Sequence, residues 1–272
     1  MSTPNATLEP TPVLEIRGMS AGYNGSAVVR DIDITVGQGE IVALLGANGA
    51  GKTTTLSAVA GLIKPLGGDI LLSGVSILGK PAHKLARQGI SLVPEDRALF
   101  HELTTRENLR IAASRGTSKD SEEQILELLP ELRKCLGRKA GLLSGGEQQM
   151  LAVGRALVSS PRLLIVDEMS LGLAPVVVER LLPVLQDVAS KLGTAVLVVE
   201  QHVALAMDVA SRAYVLAHGR LTLEGQTSEL KSNQDLIVAS YFGDLDAEAE
   251  LSATATAPKK KNVGGTGKGA TK

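Results

Sequence analysis

Eight consecutive residues of this 272-residue chain fit the phosphate-binding pattern G-x-x-x-x-G-K-[ST]. They read Gly46-Ala47-Asn48-Gly49-Ala50-Gly51-Lys52-Thr53. In this pattern the backbone N–H groups of a glycine-rich loop surround phosphates, the lysine reaches the β and γ phosphates, and the hydroxyl residue binds Mg²⁺. An apolar run (residues 41–45) precedes the loop and a helix-compatible segment (residues 54–62) follows it, so the phosphates would lie at a helix N-terminus. The pattern predicts a nucleoside triphosphate site rather than an ordinary glycine-rich turn.

A second motif is the apolar run 163–166, which ends in the acids Asp167 and Glu168. In phosphate-loop enzymes an aspartate at the tip of a buried strand helps to hold Mg²⁺ together with the loop hydroxyl. This predicts Asp167 and Thr53 as Mg²⁺ ligands. Glu168 would face the γ-phosphate and is the candidate general base for water, while Lys52 would stabilise charge on the transferred phosphoryl group. Without the phosphate loop, such an acid pair would more often be a solvated turn.

The third motif begins a predicted helix. Its residues are Ser144, Gly145, Gly146 and Glu147. A serine followed by two glycines leaves N–H groups accessible at the helix N-terminus, which favours a second anion site. One chain cannot easily wrap one triphosphate with both sites, so this motif indicates a nucleotide held between two chains. A plain N-capped helix has the same pattern.

Composition places the chain among globular proteins. With 44% hydrophobic residues, it has room for one large domain or two small ones. The formal net charge of −1 gives no support for a nucleic-acid partner. The single cysteine, Cys135, cannot form an internal disulfide, and residues 1–6 lack the features of a secretory signal, so we expect the cytosol. No apolar run approaches the ~18 residues of a transmembrane helix.

Short β-type runs alternate with helical-period segments, which predicts an α/β protein. The predicted strands are residues 13–16, 32–36, 41–45, 70–72, 90–93, 163–166, 195–199, 213–216 and 221–223. Residues 105–160 contain helical patterns and no convincing strand, which indicates a helical insertion. Residues 1–12 and 244–272 are predicted to be disordered because they are polar or rich in glycine and lysine.

In order and spacing, the three motifs resemble those of the ATP-binding subunits of ABC transporters, and residues 143–147 look like the signature of that family. The resemblance covers residues 13–243. It implies an ABC-type P-loop NTPase with a RecA-like core, a small antiparallel β subdomain and a helical subdomain at about residues 100–160. It also implies that Thr54 contributes to the ATP site and that Tyr23 stacks on adenine; the alternative for Tyr23 is a surface residue that flanks a turn.

Longer strings, including residues 92–97, 142–151 and 199–201, look like the LivF-type ATPases of branched-chain amino acid importers. This resemblance implies ATP hydrolysis coupled to import of branched-chain or related amino acids. It further implies a head-to-tail dimer of ATPase subunits on the cytoplasmic face of the membrane, beneath two permease subunits that are fed by an external binding protein. The second ATPase could be a copy of this chain, although the LivF-type branch implies a different one.

Three positions depart from the usual family pattern. Glu95 stands where most members have a glutamine that meets Mg²⁺ and water. The family histidine that touches the γ-phosphate aligns with Gln201, while His202 follows one place later. We predict that Gln201 takes this role. Met169 replaces the proline that usually follows the acid pair.

Two other functions compete with transport. A soluble ABC ATPase of ribosomes or DNA repair would usually carry two cassettes or a long coiled-coil insertion, and this chain has neither. A phosphate-loop kinase would need an acceptor pocket and would hardly need the signature segment.

Overall fold

The computed structural model describes residues 11–113, 119–232, 237 and 240. Its first half contains a four-stranded antiparallel sheet with the order β2-β1-β4-β5. The strands are β1 (Leu14–Tyr23), β2 (Ser26–Val36), β4 (Gly67–Leu72) and β5 (Val75–Ser76). The β1–β2 hairpin turns at Asn24 and Gly25, both with positive φ, and Tyr23 is the last residue of β1.

A six-stranded sheet has the order β10-β9-β3-β8-β7-β6. Its strands are β3 (Ile41–Leu45), β6 (Ile90–Val93), β7 (Leu163–Asp167), β8 (Ala195–Glu200), β9 (Arg212–Ala217) and β10 (Arg220–Gln226). All neighbouring pairs are parallel except β9–β10. The carboxyl ends of β3, β8 and β7 therefore meet at one edge, which is where ligands bind in open parallel sheets.

The helices are α1 (Lys52–Val59), α2 (Ala82–Arg87), α3 (Thr105–Ala112), α4 (Lys119–Leu128), α5 (Gly145–Leu157), α6 (Pro175–Leu192), α7 (Val203–Val209) and α8 (Thr227–Lys231). Short 3₁₀ helices span Pro130–Cys135 and Ala140–Leu142. The predicted helical subdomain is present, since α3, α4 and α5 lie between β6 and β7. Within the described ranges, no helix combines the length and apolarity needed to cross a membrane.

The central strand β3 lies between two apolar cores. Ile41, Ala43 and Leu45 face the core shared with the helical subdomain, while Val42 and Leu44 face the core under the antiparallel sheet. Every residue of β3 is buried, as expected for a strand covered on both faces. The loop after β3 therefore starts from a rigid support.

All nine predicted strands are confirmed, and the short β5 was not predicted. Several boundaries differ, and the clearest cases are those of α1 and of the β1–β2 hairpin. The helix expected at residues 54–62 begins at Lys52 and ends at Val59. β1 and β2 extend further toward each other than expected, because a hairpin pairs residues whose sequence is not strongly β-like. The predictions of disorder at the two ends concern residues that lie almost entirely outside the described part of the chain.

Candidate functional site

The phosphate-loop residues connect β3 to α1 in a conformation that only small side chains permit. Gly49 has a φ of +82° and Gly51 a φ of +111°, in the left-handed region that favours glycine. A Cβ atom on Gly51 would overlap Cγ1 of Val29. The Thr55 hydroxyl donates to the Gly51 carbonyl at 3.0 Å, which secures the loop to the first turn of α1. The loop is therefore a shaped backbone turn at a helix N-terminus.

Lys52 lies at the centre of the site, with only 6% of its side chain exposed. Its ammonium group donates to the carbonyl of Gly46 at 2.8 Å and to that of Ala47 at 3.3 Å. Its Nζ also lies 3.1 Å from Oε1 of Glu168. This buried cation joins the loop to the second motif, although the two are more than a hundred residues apart in sequence.

Asp167 is 5% exposed, and its buried Oδ1 has no hydrogen-bond partner among the residues that the structure describes. Burial, with smaller contributions from the nearby Glu168 and Glu95 carboxylates, raises the pKa of Asp167 to about 6. A buried, unpartnered carboxylate oxygen among like charges fits a divalent cation. The described residues contain no cluster of three or more His, Cys, Asp or Glu that could hold a metal alone.

Glu168 has an unusual backbone for a non-glycine residue. Its φ is +48°, and its N–H donates to the Val199 carbonyl at 2.9 Å. This turn directs the side chain toward Lys52 at the edge of the sheet. Non-glycine residues held at positive φ occur preferentially at functional sites.

A cleft of about 300 Å³ collects most of the predicted ATP-site residues. Its lining comprises Tyr23, Val28, Asn48, Gly49, Gly51, Lys52, Thr53, Thr54, Glu95, Glu168, Leu171 and Gln201. Tyr23 is 49% exposed at the rim. Clefts of about 320 and 470 Å³ lie elsewhere, but neither contains an acid or a phosphate-loop residue. Val28 and Leu171 were not predicted, because apolar residues in these positions carry no chemical signature.

The third motif lies outside this cleft, on the exposed N-terminus of α5. Ser144 caps α5 in a capping box, since its hydroxyl accepts from the Glu147 N–H at 3.3 Å and its own N–H donates to Glu147 at 2.7 Å. These bonds with Ser144, aided by Arg138, lower the pKa of Glu147. A Cβ on Gly146 would lie 2.8 Å from Cγ1 of Val177, so glycine is needed there for packing. The exposed helix end and the cleft are two separate surfaces of the chain.

Arg97 lies between the cleft and the N-terminus of α5. Its guanidinium donates to Gln149 at 2.9 Å and to Gln148 at 3.0 Å, both on α5. Two residues earlier, Glu95 lines the cleft. Arg97 has a φ of +64°, which shows a sharp turn between β6 and the helical subdomain. In sequence, Arg97 is only the last residue of the string 92–97 and has no predicted role, because its partners lie some fifty positions away.

The structure separates Gln201 from His202. Gln201 lines the cleft, whereas the Nδ1 atom of His202 lies 3.2 Å from the Ser170 hydroxyl. Met169 is fully buried in the core shared with the helical subdomain. Its apolar side chain therefore packs there, in place of the family proline.

A family model described as ABC transporter matches residues 29–170. The high-affinity branched-chain amino acid transport ATP-binding protein BraG of Pseudomonas aeruginosa is 39% identical over 81% of this chain and 96% of its own length. A protein of Archaeoglobus fulgidus named as a probable branched-chain amino acid transport ATP-binding protein, LivF, is 36% identical over 79% of this chain and 93% of its own.

Lipopolysaccharide export ATP-binding proteins also match, at 31% identity for that of Acidithiobacillus ferridurans over 85% of this chain and 97% of its own. A solved ATP-binding subunit of an ABC transporter is 31% identical, with a TM-score of 0.73, over 88% of this chain and 99% of its own. The three motifs, the cleft that joins two of them and these similarities agree: the chain belongs to the ABC transporter family, as an ATP-binding subunit with the fold of an ABC ATPase.

Proposed function

We propose that this protein is the ATP-hydrolysing subunit of an importer for branched-chain or related amino acids. The observation that carries the enzymatic part is the buried contact of Lys52 with Glu168 beside Asp167, at the mouth of the phosphate loop. The amino-acid specificity rests on the relatives BraG and LivF, whose names state branched-chain amino acid transport.

Different residues of the cleft bind different parts of the nucleotide. The backbone of residues 46–54 surrounds the phosphates, Lys52 pairs with their negative charge, and Gln201 contacts the γ-phosphate. Thr53 and Asp167 would hold Mg²⁺, which would supply positive charge against the phosphates. Tyr23 stacks on the adenine ring from the rim. Glu95 lines the same cleft, where we assign it a sensing role.

Replacement of Tyr23 by alanine should weaken ATP binding about tenfold, because stacking of a base on an aromatic ring contributes about 1–3 kcal/mol. Tyr23→Phe keeps the ring and should bind as the wild type does. Isothermal titration with MgATP measures both variants. Equal affinity of Tyr23→Ala and wild type would leave Tyr23 as a surface residue beside the hairpin turn.

Hydrolysis depends on Glu168. Its carboxylate accepts a proton from the attacking water, while Lys52 and the N-terminus of α1 stabilise the charge that develops on the phosphoryl group. The ion pair of Lys52 with Glu168 keeps the base beside the phosphate loop. The low exposure of both side chains strengthens these electrostatic interactions.

Ionisation of the buried Asp167 should lower the stability of the folded protein, and the size of this effect should depend on pH. Because burial raises its pKa above the ordinary 3.8 to about 6, the folded protein binds this proton more tightly than the unfolded chain does. The stabilisation that the folded state gains from binding this proton is therefore complete below the ordinary pKa of 3.8 and is lost as the pH rises through about 6. Asp167→Asn should raise Tm at pH 8 by at least about 2 °C in Mg²⁺-free buffer, and by less at pH 5.

Thermal unfolding checks this expectation, with Glu179→Gln on the exposed face of α6 as the control. Addition of MgATP should stabilise the wild type more than Asp167→Asn, because the variant replaces a charged carboxylate ligand for Mg²⁺ by a neutral amide. A Tm difference that is the same at pH 5 and pH 8 would contradict the assignment of a raised pKa to Asp167.

The functional unit contains two ATPase subunits packed head to tail. The exposed Ser144 segment of one subunit covers the cleft of the other, and the N–H groups of Gly145 and Gly146 contact the nucleotide. Two exposed apolar residues support this surface, Leu171 at the cleft and Val176 at the start of α6. Two permease subunits bind on the cytoplasmic face of the membrane, near the half-exposed Phe100 and α3, and an external binding protein delivers the substrate.

Uptake in cells tests the transport function. Deletion of the gene should abolish energy-dependent uptake of labelled leucine, and the wild-type gene should restore it while the Lys52→Met gene should not. The membrane proteins that co-purify with the chain identify the permease. Normal leucine uptake combined with a defect in the export of another compound would contradict the amino-acid assignment and leave the ATPase assignment intact.

A further inference from the structure

Glu200, at the carboxyl end of β8, is a fully buried carboxylate with two hydrogen-bond donors from one residue. Its Oε1 accepts from the Ser170 N–H at 3.1 Å, and its Oε2 accepts from the Ser170 hydroxyl at 2.8 Å. Burial raises the pKa of Glu200, and the two bonds from Ser170 oppose this shift. A buried carboxylate satisfied by one serine forms a specific connection between the segments that carry them.

The connection continues to His202, whose Nδ1 lies 3.2 Å from the same hydroxyl. When Glu200 is ionised it can only accept, so the Ser170 hydroxyl then donates its one proton to Glu200. In that state the hydroxyl offers only lone pairs to His202. Nδ1 of His202 must therefore carry a proton and donate it to the Ser170 oxygen. The two hydrogen bonds then have one direction of donation, from His202 to Ser170 and from Ser170 to Glu200.

The three bonded side chains lie next to residues that line the nucleotide cleft. Ser170 precedes Leu171, and Gln201 lies between Glu200 and His202; Leu171 and Gln201 both line the cleft. None of the three bonded residues is itself part of the cleft lining. Their hydrogen bonds therefore join two loops that supply adjacent parts of its wall.

We propose that Glu200 is a positioning residue for ATP hydrolysis, which acts through Ser170 to hold residues 169–174 against the loop of Gln201 and His202. The kinetic part of this inference rests on the proposed function. Glu200 touches no phosphate-loop residue in the described contacts, so its loss should reduce the rate of hydrolysis and leave nucleotide affinity nearly unchanged. Displacement of a catalytic wall by about 1 Å can cost up to about 100-fold in rate.

Hydrogen exchange of the full-length protein tests the positioning without any need for hydrolysis. Glu200→Ala removes the acceptor of the Ser170 N–H, so we expect amide exchange in residues 169–174 to accelerate about tenfold. Glu200→Gln keeps one acceptor and offers an amide donor to the Ser170 hydroxyl, so exchange should stay near that of the wild type. Thr194→Val is the matched control, because it removes a buried hydroxyl bond to the Pro161 carbonyl at the opposite end of β8.

Steady-state kinetics of the same proteins, in the assembled ATPase, tests the consequence for hydrolysis. We expect kcat to fall at least about tenfold in Glu200→Ala and about threefold in Ser170→Ala, which keeps the N–H bond. KM for MgATP should change less than about twofold in both, and Glu200→Gln should restore most of kcat. Effects of Glu200→Ala and Ser170→Ala should not add in the double variant, since both break the same connection.

Two results would overturn the inference: unchanged exchange of residues 169–174 in a folded Glu200→Ala protein, or a lower Tm with wild-type kcat in both Glu200→Ala and Ser170→Ala. If Glu200→Ala does not fold, Ser170→Ala and Glu200→Gln decide the same question. Absence of ATP hydrolysis by the wild-type assembly would contradict the proposed function instead, and the exchange measurement would still decide whether Glu200 positions the loop.

Discussion

Glu168→Gln is expected to lower the rate of ATP hydrolysis at least about 100-fold, because a glutamine amide cannot accept the proton of the attacking water. The substitution keeps the size of the side chain but removes its charge and the ion pair with Lys52 at 3.1 Å. Without the Glu168 carboxylate, the Lys52 ammonium group interacts only with the phosphates and the loop carbonyls. We therefore expect ATP to remain bound, at equal or higher affinity, in a closed dimer.

Single-turnover release of labelled phosphate, together with retention of labelled ATP on the protein, measures both parts of this prediction. Glu179→Gln is the control, since Glu179 is exposed on α6 and lies outside the cleft lining. Unchanged turnover in Glu168→Gln would remove Glu168 as the base. Loss of ATP binding would show that Glu168 has a structural role.

Lys52→Met is expected to weaken MgATP binding by at least about tenfold, since hydrogen bonds to charged groups contribute about 1.5–3 kcal/mol. A methionine retains the length of the side chain but not its ammonium group. The substitution also removes the cation that lowers the pKa of Asp167, so burial and the neighbouring acids would raise this pKa further. We expect lower stability at pH 8 than at pH 6, because the variant retains ionisable carboxylates without their cation.

Equilibrium titration with MgATP and thermal unfolding at both pH values check the Lys52 prediction. Lys64→Met is the matched control, because Lys64 is exposed and forms no ion pair with any residue that the structure describes. Wild-type affinity in Lys52→Met would be incompatible with phosphate binding at residues 46–53.

The part of the site that could be predicted from sequence is local. Residues 46–53 and the Asp167–Glu168 pair each follow a buried apolar strand, and parallel strands bring their carboxyl ends to one edge. Proximity of Lys52 to Glu168 therefore follows from motif order together with fold class. The predicted strands succeeded for the same reason, since each is a short apolar run with clear turn signals.

The rest depends on contacts between distant segments that carry no local signal. Leu171 and Val28 line the cleft as ordinary apolar residues. The role of Arg97 becomes visible only through its hydrogen bonds to two glutamines on α5. Glu200 is equally inconspicuous in sequence, because its partner Ser170 is thirty positions away. The short β5 pairs through two residues only, too few for a periodic pattern.

The cleft around Lys52 should become active only when the Ser144 segment of a second ATPase subunit covers it. The specific rate of ATP hydrolysis, measured at saturating MgATP over a wide range of subunit concentration, tests this most directly. We predict a rate per chain that rises with concentration to a plateau, with the second subunit either a copy of this chain or a different ATPase added in equal amount. A constant, full rate per chain from a protein that remains monomeric throughout would contradict the claim.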